Sequence, residues 1–288
     1  MKKISVLMLS FILLFSLTAC SGGTSGNGDS DPAGEASEAA ATDSTDNTES
    51  TSETPTLDAI RESGTLVLLT NATFPPFEYV VGVDSYAGVD IDIGQVLADK
   101  LGVELQVIDM NFDLLTEALN GGKGDFIAAG MSVKEERKEA VDFTNEYLVN
   151  GLLVMLPADS TATSLDDLAG MKVSVQQGTT GDDFASANID TDDSNILRFK
   201  SAVEAGNAVV TGKADAAILD KLPAESLVNS SDGAAKLMAD VYEEELTAIA
   251  VRKGEEDWLE FINETLAELA ESGQLQEFID HHMVAAME

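Results

Sequence analysis

The residues best suited to chemistry lie at positions 125–147, which read DFIAAGMSVKEERKEAVDFTNEY. The apolar run at 126–129 predicts a buried strand, and Ser132 and Glu135 have the spacing of a capping box that starts a helix. Arg137 follows about one turn later. A helix start and an arginine fork together suit a carboxylate. The alternative interpretation of these residues alone is a solvated surface helix on which Arg137 is one charge among several.

Composition excludes several function classes. The chain has 288 residues and a formal net charge of −36, from 52 acidic and 16 basic side chains. Nucleic-acid binding needs a basic surface, so a nucleic-acid partner is excluded. Charge-driven attachment to anionic lipid is disfavoured for the same reason. With 44% apolar residues, the length allows one large or two medium domains.

The N-terminus has the pattern of a targeting signal. Two lysines precede an apolar run at residues 4–17, which is too short to span a bilayer. The run ends in LTAC at residues 17–20, which resembles the lipobox of bacterial lipoproteins. That resemblance implies a signal peptide at 1–19 and a diacylglycerol, with palmitate, on Cys20, the single cysteine. A plain signal peptide with a chance cysteine is the alternative.

The rest of the chain divides into a polar segment and a patterned body. Residues 20–55 contain no lysine, arginine or aromatic side chain, which predicts a disordered acidic linker. From residue 56 onward, strand and helix patterns alternate, as in parallel α/β sheets. A turn-rich run at 148–163 favours two sheets over one. We also expect Asp92 to cap a helix at 93–101. Apolar residues recur at three- and four-residue spacing in 255–271, which predicts a helix whose apolar face packs into the core.

The strand ends supply binding groups but few catalytic ones. Ligands of open α/β sheets sit beyond the carboxyl ends of the strands. The segments at those ends offer aromatic rings, small hydroxyls, glycines, the Asp220 carboxylate and the nearby Arg137, without a thiol or a histidine. His281 and His282 are adjacent and do not share a helix face, which argues against a metal site. We therefore predict no metal, no cofactor and no catalytic residue.

A series of segments resembles the family-3 solute-binding proteins, the amino-acid receptors of ABC importers. Each segment is short, but they occur in the family's order and at matching distances. The resemblance implies an α/β, two-lobe, periplasmic-binding-protein-like fold of type II with two crossover hinge strands. The segments read NATFPPFEY at 71–79, GVDID at 88–92, FDLLTEAL at 112–119, GMSVKEERKEAVDFTNEY at 130–147, VQQGTT at 175–180, GKADAAILD at 212–220 and IAVRKG at 249–254.

The resemblance also implies domain boundaries. Lobe 1 is expected to comprise residues 56–147 together with 248–288. Lobe 2 is expected at 152–243. The hinges would then lie at 148–151 and 244–247.

The matching positions imply roles for individual side chains. Arg137 is expected to grip the α-carboxylate of an amino acid, and Asp220, from the other lobe, its α-ammonium. Asn71 stands where receptors for cationic amino acids commonly carry an aspartate, which weakens a lysine or arginine ligand, although Asp90 remains. The other expected contacts are Ser132 and the N–H of Thr179 or Thr180 to the carboxylate, the Gly130 carbonyl to the ammonium, Phe74 and Phe112 stacked on the side chain, and Asn71, Asp90 and Gln176 reading its chemistry.

The resemblance implies a function outside the cytoplasm. We expect a monomeric lipoprotein receptor, anchored to the bacterial cell membrane, that captures a polar amino acid by lobe closure and delivers it to an ABC permease and ATPase. It is not expected to be an enzyme. Two alternatives stay open. One is a small-acid dehydratase on the same fold, with Asp90, Glu78 or Asp220 as its acid or base, and the other is a sensory receptor without transport.

Overall fold

The computed structural model describes residues 54–285. The predicted signal peptide, Cys20 and nearly all of the predicted linker lie outside this range. The strands are β1 Thr65–Thr70, β2 Thr73–Phe74, β3 Glu78–Gly82, β4 Ser85–Ala87, β5 Glu104–Asp109, β6 Phe126–Ile127, β7 Val141–Phe143, β8 Leu148–Pro157, β9 Val173–Gln176, β10 Ile196–Phe199, β11 Ala216–Asp220, β12 Ala235–Leu237, β13 Tyr242–Thr247 and β14 Ala250–Arg252. The helices are α1 Pro55–Ser63, α2 Val89–Leu101, α3 Leu115–Asn120, α4 Glu135–Ala140, α5 Thr180–Asn188, α6 Ala202–Val210, α7 Lys221–Asn229, α8 Glu256–Ser272 and α9 Gln274–Ala285.

Lobe 1 is built on a five-stranded sheet in the order β5-β1-β6-β14-β7. β1 runs parallel to β5 and β6, and β14 runs antiparallel to β6 and β7. A separate hairpin sheet, β2-β3-β4, lies beside it. The apolar face of α8 packs against this lobe, with Trp258 fully buried and its ring 5.8 Å from that of Phe126. The helical spacing of apolar residues in α8 predicted core packing, which is confirmed.

Lobe 2 is built on the second sheet, in the order β10-β9-β11-β8-β12, with β13 also paired to β8. β9 runs parallel to β10 and β11, whereas β8 is antiparallel to β11. Every residue of β9 and β11 is buried. Strands buried on both faces read as near-continuous apolar runs, and the sequence of β11, AAILD, has that pattern up to its final residue.

Two antiparallel strands connect the lobes. The chain leaves lobe 1 through β8 and returns to it through β13, and these two strands are paired from Leu148 opposite Thr247 onward. The ranges predicted as hinges, 148–151 and 244–247, fall on this paired end. The fold is therefore two α/β lobes joined by two crossing strands, and the carboxyl ends of β1, β5, β6, β9 and β11 supply the residues that line the cleft.

The predicted Asp92 cap is wrong. α2 begins at Val89, directly after Gly88, so Asp92 lies within the first turn. Gly88 has a φ of 136°, and a Cβ there would lie 2.0 Å from the Phe77 carbonyl oxygen. Only glycine fits that turn, which fixes where the helix starts. The Asp92 carboxylate instead lies 2.9 Å from Nε2 of His282, on α9.

The predicted capping box at Ser132 and Glu135 is also wrong. α4 starts at Glu135, and Lys134 precedes it in an extended conformation without a side-chain cap. The Ser132 hydroxyl donates to the Glu245 carboxylate at 2.7 Å. The hydroxyl that was predicted to cap the helix therefore bonds to a carboxylate 113 positions away in the sequence. Within residues 54–285, no helix combines the length and the apolarity that crossing a membrane would require.

Candidate functional site

The facing strand ends enclose one cavity in the cleft. Ten of the eleven predicted ligand-binding residues line it, and Asp90 does not. Its volume is about 10 Å³, room for about one water molecule, so an amino acid can enter only when the lobes separate. The lining residues are Asn71, Phe74, Glu78, Phe112, Ala129, Gly130, Ser132 and Arg137 from lobe 1, and Gln176, Thr179, Thr180 and Asp220 from lobe 2.

Arg137 forms the cationic pole of the cavity. Its guanidinium donates to the carbonyl oxygens of Ser132 at 2.6 Å and Gly178 at 3.2 Å, and it lies 5.1 Å from the centre of the Phe112 ring. Burial lowers the pKa of the guanidinium, while the carboxyl groups of Asp220 and Glu245 act in the opposite direction. Arginine stays charged at neutral pH. Its present acceptors are neutral carbonyl oxygens. A ligand carboxylate could take their place and, because it is charged, would form a stronger bond with the guanidinium.

The start of α5 faces the same pole from lobe 2. The Thr179 N–H donates to the Gln176 carbonyl at 3.4 Å, and the Thr179 hydroxyl accepts from the Asp182 N–H. Thr180 is the first residue of the helix, and its N–H has no acceptor within the helix by geometry. The sequence predicted that the N–H of either Thr179 or Thr180 would contact a carboxylate. The Thr180 N–H is therefore the better placed of the two.

Asp220 forms an acidic pole at the end of β11. It is 7% exposed, and its Oδ1 has no hydrogen-bond partner among the described residues. Burial raises the pKa of the Asp220 carboxyl well above its usual value, the adjacent Glu245 carboxyl raises it further, and Arg137 opposes the shift. The buried Glu245 is a cleft residue that sequence reasoning missed. A run of three glutamates on an exposed strand carries no local signal that one of them is buried.

Aromatic rings and a glycine shape the apolar wall. Phe74 stacks on Phe77 with ring centres 5.6 Å apart. Gly130 has a φ of 54°, and a Cβ there would lie 2.7 Å from Cε1 of Phe74. The backbone at Gly130 can therefore approach the ring only because the residue has no side chain. Phe112 supplies the other ring of the cavity.

Side chains meet across the cleft. Gln176 Nε2 donates to the side-chain oxygen Oδ1 of Asn71 at 2.8 Å, and Gln177 Nε2 donates to the Asp113 carboxylate at 3.0 Å. Lys134, from lobe 1, forms an ion pair with Asp183 of lobe 2. The Asn71 amide also donates to the Met110 carbonyl at 2.8 Å. These bonds join the lobes in a closed arrangement and fix the orientation of the Asn71 side chain.

Asp90 lies behind the cavity wall. It is fully buried, and its carboxylate accepts from the Gly130 N–H at 2.8 Å and from the Tyr147 hydroxyl at 2.6 Å. Burial raises the pKa of Asp90 to about 6, although these donors lower it. The helix start at Val89 turns this side chain towards the strand end at Gly130. Asp90 thus holds the backbone that shapes the cavity, and Glu78 takes the position facing into it.

Glu78 is the acidic lining residue that sequence reasoning considered only as an enzyme's acid or base. It is fully buried, and neither carboxyl oxygen has a hydrogen-bond partner among the described residues. Burial raises the pKa of Glu78 well above its usual value, and the neighbouring Asp90 carboxyl raises it further. Glu78 begins a hairpin strand whose next residues become exposed, so its own sequence neighbourhood predicts a surface glutamate.

A polar cluster outside the cavity, centred on the His282 imidazole, joins helices to a strand. His282 is buried, with Nδ1 lying 3.0 Å from the Tyr79 hydroxyl and Nε2 2.9 Å from Asp92. These contacts tie α9 to α2 and β3. Among residues 54–285, no group of three or more histidine, cysteine and acidic side chains is arranged to hold a metal ion.

Comparison with known proteins agrees with this architecture. The arginine-binding extracellular protein ArtP of Bacillus subtilis is 30% identical over 285 residues, covering 96% of each chain. The arginine-bound truncated form of ArgBP from T. maritima has 38% identity and a TM-score of 0.69, over 74% of this chain and 99% of that one. A cyclohexadienyl dehydratase of Pseudomonas aeruginosa is 31% identical over 172 residues, 58% of this chain and 63% of its own.

The family assignment rests on most of the body. The model of the bacterial extracellular solute-binding proteins, family 3, matches residues 66–285. That range takes in both sheets and every residue that lines the cavity. The resemblance stated from the short segments is confirmed, and the chain belongs to the bacterial extracellular solute-binding proteins, family 3.

Proposed function

We propose that this chain is an extracytoplasmic lipoprotein that captures an amino acid by lobe closure and delivers it to an ABC importer. The observation that carries the proposal is the opposition of two side chains across one cavity, Arg137 on α4 of lobe 1 and Asp220 at the end of β11 in lobe 2. A zwitterion has one group for each pole. It can contact both only when the cleft is closed, so the ligand stabilises the closed form by its differential affinity for it.

The poles are suited to the two backbone groups of an amino acid. The Arg137 fork would exchange its carbonyl acceptors for the α-carboxylate, aided by the Ser132 hydroxyl and the Thr180 N–H. Asp220 would accept from the α-ammonium, with the Gly130 carbonyl beside it. Phe74 and Phe112 would enclose the side chain, which leaves Asn71, Gln176 and Glu78 to read its polar end.

The acidity of the cavity supports a cationic side chain. In the sequence, an asparagine at position 71 in place of an aspartate argued against a lysine or arginine ligand. The Asn71 side chain is hydrogen-bonded to Met110 and Gln176. Glu78 supplies a carboxyl group in its place, buried and without a hydrogen-bond partner among the described residues. A guanidinium or ammonium would satisfy both of its oxygens. That ArtP and ArgBP are named for arginine adds support for a cationic ligand.

Membrane attachment and transport rest on the sequence and on family membership. The lipobox at residues 17–20 supports a lipid on Cys20 and anchoring to the bacterial cell membrane. The acidic linker would then tether the lobes to the membrane and still allow them to contact an ABC permease and ATPase. We propose that the receptor acts as a monomer.

Calorimetric titration of the purified protein with the twenty amino acids and cystine tests the proposal. We expect arginine to bind most tightly, lysine next, and acidic amino acids not at all. If none of these ligands binds, amino-acid capture is wrong. Tight binding of an uncharged amino acid with no binding of arginine would retain capture and refute the cationic side chain.

Two other functions remain as alternatives. The dehydratase relative, together with the raised pKa of Glu78, favours a small-acid dehydratase with Glu78 as its general acid. Incubating the protein with small hydroxy acids and following them by mass spectrometry would expose such turnover. A sensory receptor without transport predicts ligand binding but no ligand-dependent stimulation of the cognate ATPase in membrane vesicles.

A further inference from the structure

The acidic groups around the cavity form two pairs. In each pair one carboxyl group lines the cavity and the other lies behind it. Glu78 lines the cavity in lobe 1 with Asp90 behind it, and Asp220 lines it in lobe 2 with Glu245 behind it. Gly130 and Ser132, which also line the cavity, bond to Asp90 and Glu245 respectively, so each rear carboxyl group lies directly behind the cavity wall. All four side chains are buried.

The rear members are held by donors that belong to the protein. Asp90 accepts from the Gly130 N–H and the Tyr147 hydroxyl at 2.8 and 2.6 Å. Glu245 accepts from the Ser132 hydroxyl at 2.7 Å. Donors aimed at a carboxyl group favour its ionised form. In each pair these donors therefore favour the ionised form of the rear member over that of the front member.

The front members lack such donors. Both oxygens of Glu78 and Oδ1 of Asp220 are buried without a hydrogen-bond partner among the described residues. An ionised carboxylate can only accept, so two ionised carboxylates side by side in a buried site repel each other and cannot bond. A proton on the front member turns it into a donor to the rear carboxylate. Burial and the rear carboxyl group raise the pKa of both Glu78 and Asp220, which agrees with that assignment.

The other charged groups facing each front member differ between the pairs. Besides Asp90 on α2, Glu78 faces Asp109 on β5 and Asp220 on β11, and all of them favour its protonated form. Asp220 faces Glu245 on β13 and Arg137 on α4, and the arginine alone favours ionisation. The Tyr147 hydroxyl donates to Asp90 and remains protonated, because burial raises its pKa well above the usual value. No cation is therefore available to pair with Glu78 among the groups that face it.

We propose that the cleft carries one proton on each front carboxyl group, and that the cationic groups of the ligand displace them. The α-ammonium would displace the proton shared by Asp220 and Glu245, and a cationic side chain would displace the one shared by Glu78 and Asp90. Glu245 and Asp90 act as positioning residues that hold these protons without touching the ligand. The inference rests on the proposed amino-acid binding and deepens it.

The direction of the pH dependence follows from linkage. An opposite charge within contact distance lowers the pKa of a carboxyl group by roughly 1–3 units, so the bound form holds fewer protons than the free form. Affinity must then rise with pH while the free site is protonated, by at most about tenfold per pH unit for each proton released. Above the raised pKa values the affinity reaches a plateau. A zwitterion with a neutral side chain displaces one proton, and a ligand with two cationic groups displaces up to two.

Titration calorimetry counts these protons. The purified full-length chain is titrated with arginine and with glutamine, each in two buffers that differ in enthalpy of protonation, at steps from about pH 5 to about pH 8. The dependence of the observed heat on the buffer gives the number of protons released per ligand. We expect release of up to about one proton with glutamine and up to about two with arginine, and affinities that rise with pH accordingly.

Two variants assign the protons. Glu245→Gln replaces the rear carboxylate of the Asp220 pair with an amide that can donate, so release falls by up to about one proton for both ligands. Asp90→Asn should remove the second proton for arginine and leave glutamine unchanged. Glu244→Gln is the matched control, because Glu244 is the exposed neighbour of Glu245 on the same strand. It should release the same number of protons as the wild type.

The possible outcomes separate this inference from the proposed function. Binding of arginine or glutamine with equal heat in both buffers at every pH, and with constant affinity, overturns the inference and leaves amino-acid capture intact. Wild-type protein alone decides this point, even if a variant fails to fold. If neither these ligands nor any other amino acid binds, amino-acid capture is wrong and the proton displacement that rests on it is wrong too.

Discussion

Replacing Arg137 with lysine tests the anionic half of the binding site. The guanidinium now donates to two backbone carbonyls, at 2.6 and 3.2 Å. A ligand carboxylate bound there would form a buried, hydrogen-bonded charge pair with the guanidinium. Truncating one partner of such a pair costs about 2–5 kcal/mol, or roughly 30- to 5,000-fold in affinity. Lysine keeps the charge but not the planar fork.

We therefore expect Arg137→Ala to lose most of that affinity, and Arg137→Lys to lose about 10- to 100-fold. Calorimetric titration with arginine measures both values. Lys138→Ala is the matched control, because Lys138 lies on the same helix, is exposed and pairs only with Glu135 among its described contacts. The control should bind within about twofold of wild type.

Two results would refute the reasoning. If Arg137→Ala retains arginine affinity within about threefold, the α-carboxylate does not bind to this guanidinium. If Arg137→Lys binds as well as wild type, a point charge is sufficient and the two-point geometry is wrong. Circular dichroism and a melting curve on each variant establish that a loss of binding is not a loss of fold.

Three further predictions concern other parts of the cleft. Glu78→Gln should weaken arginine by about 10- to 100-fold and glutamine by less than about threefold, and calorimetry that finds equal losses would remove Glu78 from side-chain recognition. Lys134→Ala breaks the ion pair with Asp183, so every ligand should weaken by the same factor, at most about fivefold, and less in high salt; ligand-dependent losses would contradict its place at the cleft mouth. Gly130→Ala puts a Cβ 2.7 Å from Phe74 at a φ of 54°, so we expect about 1–3 kcal/mol of destabilisation, which an unchanged melting temperature would contradict.

The sequence predicted the elements that depend on local pattern. The spacing of apolar residues in α8 identified core positions, and the alternation of strands and helices predicted two α/β sheets. The strand ends contributed most of the cavity for the same reason, since parallel strands bring their carboxyl ends to one edge. These features depend on the spacing of residues a few positions apart, and a single sequence shows that spacing.

The misses have a common physical cause, a polar partner from a distant segment. Ser132 has the spacing of a helix cap, but its hydroxyl bonds to Glu245, 113 positions away. Asp92 has the position of a cap, but its carboxylate binds His282, 190 positions away. Glu78 is a different case: it has no such partner among the described residues, and it lines the cavity although the residues after it in β3 become exposed. Local pattern shows that a side chain can form a bond and does not show which partner takes it.

The charged side chains that face the cavity share one property: a ligand can bind to each of them without first breaking a salt bridge. Arg137 bonds to neutral carbonyls although carboxyl groups lie nearby, and within residues 54–285 neither Asp220 nor Glu78 has a cationic partner in direct contact. A salt bridge inside the cavity would have to be broken before a ligand could bind, and breaking a buried pair costs about 3–5 kcal/mol. The ion pair of Lys134 and Asp183, by contrast, lies at the cleft mouth, where closure forms it and no ligand competes for it. Asn71→Lys, which places an ammonium in the cavity that Glu78 also lines, should therefore abolish arginine binding in calorimetry. Retained arginine affinity in that variant would show that the unpaired acid does not select the ligand.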